Sequence, residues 1–376
     1  MVLKQCLSFF RMGMKKILWI LPNYNFYNIQ RLNLLSSDYD ILVLAGKNND
    51  KLGFKNNVIS KSKVIYASKH KDKFGFSLQV MIKIFSNLKG KDFIYLAVEK
   101  KNFFLLILIL SYRFFSKSKA KVFSYNHMLL KSGNAKKNKL NRYLTKFFYR
   151  RLDKIIFYTK EGCEKAVELQ LIKPEKAFWA NNTINTIEVV KHYTFDFPPE
   201  KYTSILFIGR LIPSKEIAKL VEYYKTLKEK LPFLKMEVIG DGPDKQYIKD
   251  LVKVDKDVLW HGAIIKEEII ASIMKRNSAV FIPGLSGLSI NHAFAYGRPY
   301  ITLEADKHGP EIVYLKHNKN GFILRNDFND NVREMTELLS NKSKLYEFCL
   351  SAKEKGEELT VEKWVEQMKS SLEYGN

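Results

Sequence analysis

A repeated alternation constrains this chain more than any single motif. Short, nearly unbroken apolar runs rich in β-branched and aromatic residues take turns with amphipathic stretches. In the first half, residues 16–22, 39–44, 93–98, 121–125 and 154–158 read as strands, and 140–150 and 161–169 as helices. In the second half, strands at 204–209, 235–240, 258–261, 279–282 and 299–302 interleave with helices at 217–231, 246–254, 266–275 and 289–296. A strand that is apolar on both faces must be covered on both, which a parallel sheet with crossover helices achieves. The pattern predicts an α/β protein of two successive doubly wound, Rossmann-like parallel-sheet domains facing across a cleft. The length of 376 residues suits two cores better than one.

The expected boundaries follow from punctuation. Residues 1–13 read as a short extension before a second methionine, Met14, which stands directly ahead of the first strand. Residues 14–196 form the first domain and 197–358 the second, with the Pro-containing stretch 195–200 as linker. A last helix over 359–376, carrying Trp364, is expected to return to the first domain. Residues 1–16 lack the small-residue cleavage site of a signal peptide. The most apolar run, 103–115, is interrupted by Arg113 and shorter than the roughly 20 residues a bilayer needs, so it reads as a buried helix. Cys6, Cys163 and Cys349 lie far apart, without metal-ligand spacing, and point to a reducing compartment.

Charge divides the two halves. Residues 1–150 hold 29 Lys and Arg against 6 Asp and Glu, whereas 151–376 are nearly balanced, within a net charge of +24. A strongly basic half implies an anionic partner: nucleic acid, a phosphorylated substrate or an anionic membrane surface. No nucleic-acid-binding motif accompanies the diffuse charge, so nucleic acid is the weaker reading.

The segment 207–216, FIGRLIPSKE, places two cations where a strand ends and a helix begins. Arg210 offers a planar fork of donors and Lys215 a point charge, a pair suited to a diphosphate. Two solvated loop cations would have the same spacing.

GRLIPSKE is followed in order by VIGDGPD (238–244), WHGAI (260–264), PGLSGLSINHAFAYGRPYI (283–301) and HGPEIVYLKHNKNGFIL (308–324). This series resembles the C-terminal half of retaining glycosyltransferases of the GT-B fold, most like family 4. Upstream, YNHM (125–128), YTKEG (158–162) and NNTINT (181–186) are similar to family segments too. The resemblance implies transfer of a sugar from a UDP-, GDP- or dTDP-linked donor, with retention, no metal and no other cofactor. It assigns Arg210 and Lys215 to the donor diphosphate and leaving group, and His127 to the donor sugar. It puts Gly209, Gly240, Ala263, Ile264, Gly284, Gly287, Leu288, Ser289, His292 and Glu311 on the donor side. Many relatives carry two glutamates where Gly284 and His292 stand here, the second contacting the ribose. The helix start at 287–290 still supplies N–H groups to a diphosphate. His292 is expected to replace the ribose contact with one hydrogen bond. Glu311 is expected either to contact the donor or to hold its loop.

In this architecture the first domain receives the acceptor. A basic first domain fits a glycan or lipid-linked acceptor on an anionic inner leaflet, so a cytoplasmic, peripherally bound protein is expected. Lys131, Lys136, Lys137, Lys139 and Arg142, leading into an aromatic helix, are the candidate acceptor or membrane face. Two other readings remain open: an inactive, GT-B-like nucleotide-sugar-binding subunit, and a basic nucleic-acid-binding protein.

Overall fold

The computed structural model describes residues 13–22, 24, 26–46, 60–68, 77–99, 102–128, 139–201, 203–325 and 327–375. The candidate face residues Lys131, Lys136 and Lys137 lie outside them, and of Lys139 only the backbone is described. The chain divides into two compact units, residues 1–181 with 364–376, and residues 182–363.

The first unit is wound on a seven-stranded sheet. Its strands are β1 (Lys16–Leu21), β2 (Asp40–Gly46), β3 (Lys63–Ser68), β4 (Phe93–Leu96), β5 (Lys121–Asn126), β6 (Lys154–Phe157) and β7 (Ala177–Trp179), in the order β3-β2-β1-β4-β5-β6-β7. Every pairing is parallel. Side chains alternate along β1 as the pleat requires. Leu18 and Ile20 join one apolar layer with Ile94, Leu105 and Ile109. Ile17, Trp19 and Leu21 join the opposite layer with Tyr95, Phe123, Trp364, Met368 and Leu372.

That second layer includes the helix Val361–Glu373, which presents Trp364, Met368 and Leu372 at intervals of four. Its C-terminus is held by a buried lysine. Lys154 Nζ donates to the carbonyls of Ser371, Leu372 and Tyr374 at 2.8, 2.6 and 2.7 Å, satisfying acceptors that a helix end leaves without partners. Burial, with Lys121 and Lys15 nearby, pulls the Lys154 pKa down to about 8.

The second unit has six parallel strands: β8 (Ser204–Ile208), β9 (Lys235–Ile239), β10 (Val258–Trp260), β11 (Ala279–Phe281), β12 (Tyr300–Leu303) and β13 (Gly321–Leu324). Their order is β10-β9-β8-β11-β12-β13. In both units the winding reverses beside the first strand, between β1 and β4 and between β8 and β11. Ligands of doubly wound sheets bind at the carboxyl ends of such strands.

Three expectations need correction. The edge strands β3 (KVIYAS), β7 (AFW) and β13 (GFIL) stand where no strand was expected. The stretch 195–200 is not a free linker. Ile184, Val189 and Tyr193 are buried in the second unit's core, and Phe195 and Phe197 pack against it. Finally, the helix Phe103–Ser116 is buried on one side only: Leu105, Leu106 and Ile109 face the core, while Phe114 and Phe115 are 79% and 82% exposed.

Candidate functional site

In the second unit, the loop after β8 is fixed from both sides. Gly209 N–H donates to Ile239 O (2.9 Å), Leu211 N–H to Asp241 O (3.0 Å), and Asp244 N–H to Leu211 O (2.9 Å). Gly240, at φ +149°, lies so close that a Cβ there would stand 1.8 Å from Gly209 O. Any side chain at that position is excluded.

The loop after β11 locks onto the same segment. Gly284 N–H donates to Lys215 O (3.2 Å) and Leu285 N–H to Ser214 O (2.8 Å). Lys215 Nζ donates in turn to Leu285 O. The two loops at the switch point are therefore one hydrogen-bonded plate carrying Lys215. Burial, and then the charge of Arg210, bring the Lys215 pKa down to about 8. Arg210 is exposed, and among the described residues its guanidinium has no hydrogen bond or ion pair.

Beyond the plate, the helix Leu288–Ala295 begins at Gly287. Ser286 N–H donates to His308 Nδ1 (3.0 Å), and His308 Nε2 bonds Leu303 O (2.9 Å), which fixes the ring's tautomer. Glu311 is buried beside this helix start. Its Oε1 accepts from Asn182 Nδ2 at 2.5 Å, and its Oε2 is the atom a Cβ on Gly287 would meet, at 3.4 Å. Asn291 Nδ2 donates to Asn182 O (2.7 Å).

The first unit holds a cavity of about 250 Å³ at its own switch point. Leu21 and Pro22 after β1, Ala97 to Glu99 after β4, and Tyr125 to His127 at the end of β5 contribute to its wall. Trp19 stacks on Tyr95 at 4.3 Å and 18°. Arg31 lies over the rings of Tyr125 and Trp364, at 5.6 and 5.4 Å, and donates to Asn28 Oδ1 at 2.9 Å. Trp364 is buried, and its indole N–H has no hydrogen-bond partner among the described residues. His127 is exposed at the rim, edge-on to Tyr158 at 6.2 Å. Its backbone is held through a relay. Val98 N–H donates to Ser124 Oγ (3.1 Å), Ser124 to Asn126 Oδ1 (2.5 Å), and Asn126 Nδ2 to His127 O (2.7 Å).

With this geometry in hand, comparison with known proteins is informative. Residues 202–341 match the family model described as glycosyl transferases group 1. Over 96% of its length the chain superposes on 99% of the Anabaena protein HepE, solved with UDP, with a TM-score of 0.69 at 14% identity.

The fold is GT-B.

The chain resembles the GT-B glycosyltransferases, and the match to the group 1 model falls within its second unit. It is 26% identical over 232 residues to an uncharacterized glycosyltransferase of Haemophilus influenzae, a stretch covering 56% of this chain and 61% of that one. It is 25% identical over 200 residues to the poly(ribitol-phosphate) alpha-N-acetylglucosaminyltransferase of Staphylococcus aureus, covering 51% and 39%. The matched stretches thus span less than two thirds of either relative.

Within the matched segment, Gly209, Gly240, Gly284 and Lys215 come together in the plate, and Gly287 meets Glu311. Three of the expected donor residues have close neighbours within the second unit. Gly284 stands opposite backbone: a Cβ there would lie 2.3 Å from Ser214 O and 2.5 Å from Lys215 Cα. A glutamate cannot occupy this position without moving the Lys215 loop. His292 does not stand alone on its helix but pairs with Glu267, Nε2 to Oε1 at 2.8 Å. Ser289 Oγ bonds the Tyr300 hydroxyl (2.8 Å), which also donates to Ser286 Oγ (2.9 Å). Ala263 is exposed, and Ile264 packs on the core. Arg142 is exposed and donates to Leu169 O at 3.1 Å.

Sequence reading missed the Ser124–Asn126 relay, the Asn182–Glu311 pair, and the cavity residues Arg31 and Trp19. Only the Ser-Tyr-Asn-His order at the end of β5 carried a signal for any of them.

Proposed function

We propose that the protein is a retaining, metal-independent glycosyltransferase. It moves a sugar from a nucleotide-sugar donor to a glycan or lipid-linked acceptor in bacterial surface polysaccharide synthesis. The observation that carries this reading is Lys215 on a main-chain plate at the β8/β11 switch point, with Arg210 exposed beside it. A half-buried ammonium and an exposed guanidinium at the carboxyl edge of a doubly wound sheet suit a diphosphate.

In the proposed reaction the acceptor hydroxyl oxygen bonds to the anomeric carbon as the bond from that carbon to the phosphate oxygen breaks. The departing diphosphate takes the acceptor proton on the same face, which retains configuration. Lys215 and Arg210 offset the charge that grows on the leaving group, the kind of preorganised electrostatics that usually dominates catalysis. His127 is assigned to positioning the sugar, and the aromatic cavity beneath it to the acceptor. HepE was solved with UDP, and the Staphylococcus relative is named for a transfer to a phosphate-linked polymer. The first supports a nucleotide-sugar donor here, and the second an anionic acceptor.

The test is a thermal-shift panel of UDP, GDP, dTDP and their sugars on wild type, Arg210→Ala and Lys215→Ala. One nucleotide is expected to stabilise wild type and to lose most of that effect in both variants. Stabilisation that survives both substitutions overturns the diphosphate assignment. A second reading, an inactive donor-binding subunit, is favoured by the absence of carboxylates at Gly284 and His292. It predicts donor binding with neither transfer nor donor hydrolysis.

A further inference from the structure

We propose that the first unit docks on an anionic bilayer through the outward faces of the helices Leu78–Ser86 and Phe103–Ser116. The inference rests on the membrane-borne acceptor proposed above and supplies its docking surface. Both helices are apolar on the side turned away from the core, where a surface helix ordinarily carries charge. On the first, Leu78 and Ile82 are 71% and 60% exposed, with Phe85 one turn further along. On the second, Phe104, Ile107, Phe114 and Phe115 form the outer stripe, at spacings that keep them on one side. The Phe85 ring meets the Tyr112 ring edge-on at 5.5 Å, so the two faces adjoin. A folded chain rarely exposes a contiguous apolar surface of this extent without a partner.

Charge identifies the occupant. No Asp or Glu occurs between Asp72 and Asp92 or between Glu99 and Asp153. Lys89, Lys117 and Lys119, at the ends of the two helices, are exposed. Aromatic side chains bordered by lysines, on helices whose own segments hold no carboxylate, match the boundary of an anionic leaflet, where apolar rings enter the acyl edge and ammonium groups remain among head groups. A second copy of the chain fits poorly, because a two-fold contact would set these same lysines against each other. Among the described residues no helix is long and apolar enough to cross a membrane, and the proposed mode is interfacial. The expected face of Lys131, Lys136, Lys137, Lys139 and Arg142 lies mostly outside the described residues, and Phe103 of the docking helix meets Phe147 and Phe148 of the helix Lys139–Arg151 at 5.9 and 5.7 Å.

The experiment is co-sedimentation of the full chain with vesicles of phosphatidylcholine, alone or with phosphatidylglycerol. Wild type is compared with Phe114→Asp/Phe115→Asp and with Ile82→Asp, and UDP thermal shift is read on every variant. Wild type should bind the phosphatidylglycerol vesicles, and less so as salt rises. The double variant should bind at least tenfold more weakly with an unchanged melting temperature. Equal binding by wild type and the double variant overturns the proposal. So does equal binding to both vesicle types. A wild-type dimer that the double variant converts to monomer assigns the face to self-association instead. Loss of UDP stabilisation with vesicle binding intact would count against the glycosyltransferase reading and leave the docking surface standing.

Discussion

His292 Nε2 lies 2.8 Å from Glu267 Oε1, and the Tyr296 hydroxyl donates to that same oxygen at 2.6 Å. Burial alone would raise the Glu267 pKa, but His292 and Tyr296 together hold it below the usual carboxylate value. The carboxylate absent from position 292 is thus matched by one on the neighbouring helix Glu267–Arg276. His292→Glu sets two carboxylates against each other in a mostly buried site. We expect a loss of about 1–3 kcal/mol, seen as a lower melting temperature at pH 7, with no gain in UDP binding. Combining it with Glu267→Gln should recover much of the loss. A single variant as stable as wild type would refute the pairing.

Gly284→Ala tests the plate. The added carbon meets main-chain atoms of Ser214 and Lys215, which cannot rotate away as a side chain can. Forcing the loops apart should cost about 1–3 kcal/mol and weaken UDP binding together with stability. Unchanged chemical denaturation would show that the loops separate freely.

A donor diphosphate held by Lys215, as proposed, would bind in a pH-dependent way. Its pKa of about 8 means that the ammonium begins to neutralise well below the ordinary lysine range. An anion needs the charged form, so affinity for whichever of UDP, GDP and dTDP stabilises wild type should fall as pH rises through about 8, approaching tenfold per unit once the neutral form dominates. Lys215→Arg, charged throughout, should flatten this decline in titration calorimetry between pH 7 and 9. Parallel profiles for the two proteins would exclude Lys215 as the titrating contact.

Lys154 gives a linkage prediction of the opposite sign. With its folded pKa near 8 and its unfolded pKa near the ordinary lysine value of 10.5, the unfolded chain binds more protons between those values. Wild type therefore gains stability from this group as pH rises across that window. The stability difference between wild type and Lys154→Met should widen from pH 8 to pH 10. A constant or shrinking difference contradicts the assignment.

How far the sequence could be read depended on distance along the chain. β8, its glycine turn and the Arg210–Lys215 loop were legible because a buried strand, a tight turn and a helix start each leave a local signature. β13 was not, because GFIL comes straight after the polar turn 316–320 with no apolar residue ahead of it. His292 was legible as a histidine on a helix but not as a partner of Glu267, since the pairing crosses 25 positions. The aromatic cavity is assembled from β1, β4 and β5, a following helix and Trp364 near the end of the chain. No periodicity announces such a meeting. The helix Phe103–Ser116 was misread because an all-apolar segment looks the same whether its second face meets protein or something else.

The two switch points are built from different materials, and this bears on how such a protein diversifies. Around Lys215 the architecture is main chain bonded to main chain, so most side chains there can be exchanged by drift while the anion seat keeps its shape. Around Trp19, Arg31, Tyr125 and Trp364 the walls are side chains, and one replacement remakes the cavity. Descendants of this chain would then keep the shape of the Lys215 plate across long divergence yet reshape the aromatic cavity in a few steps.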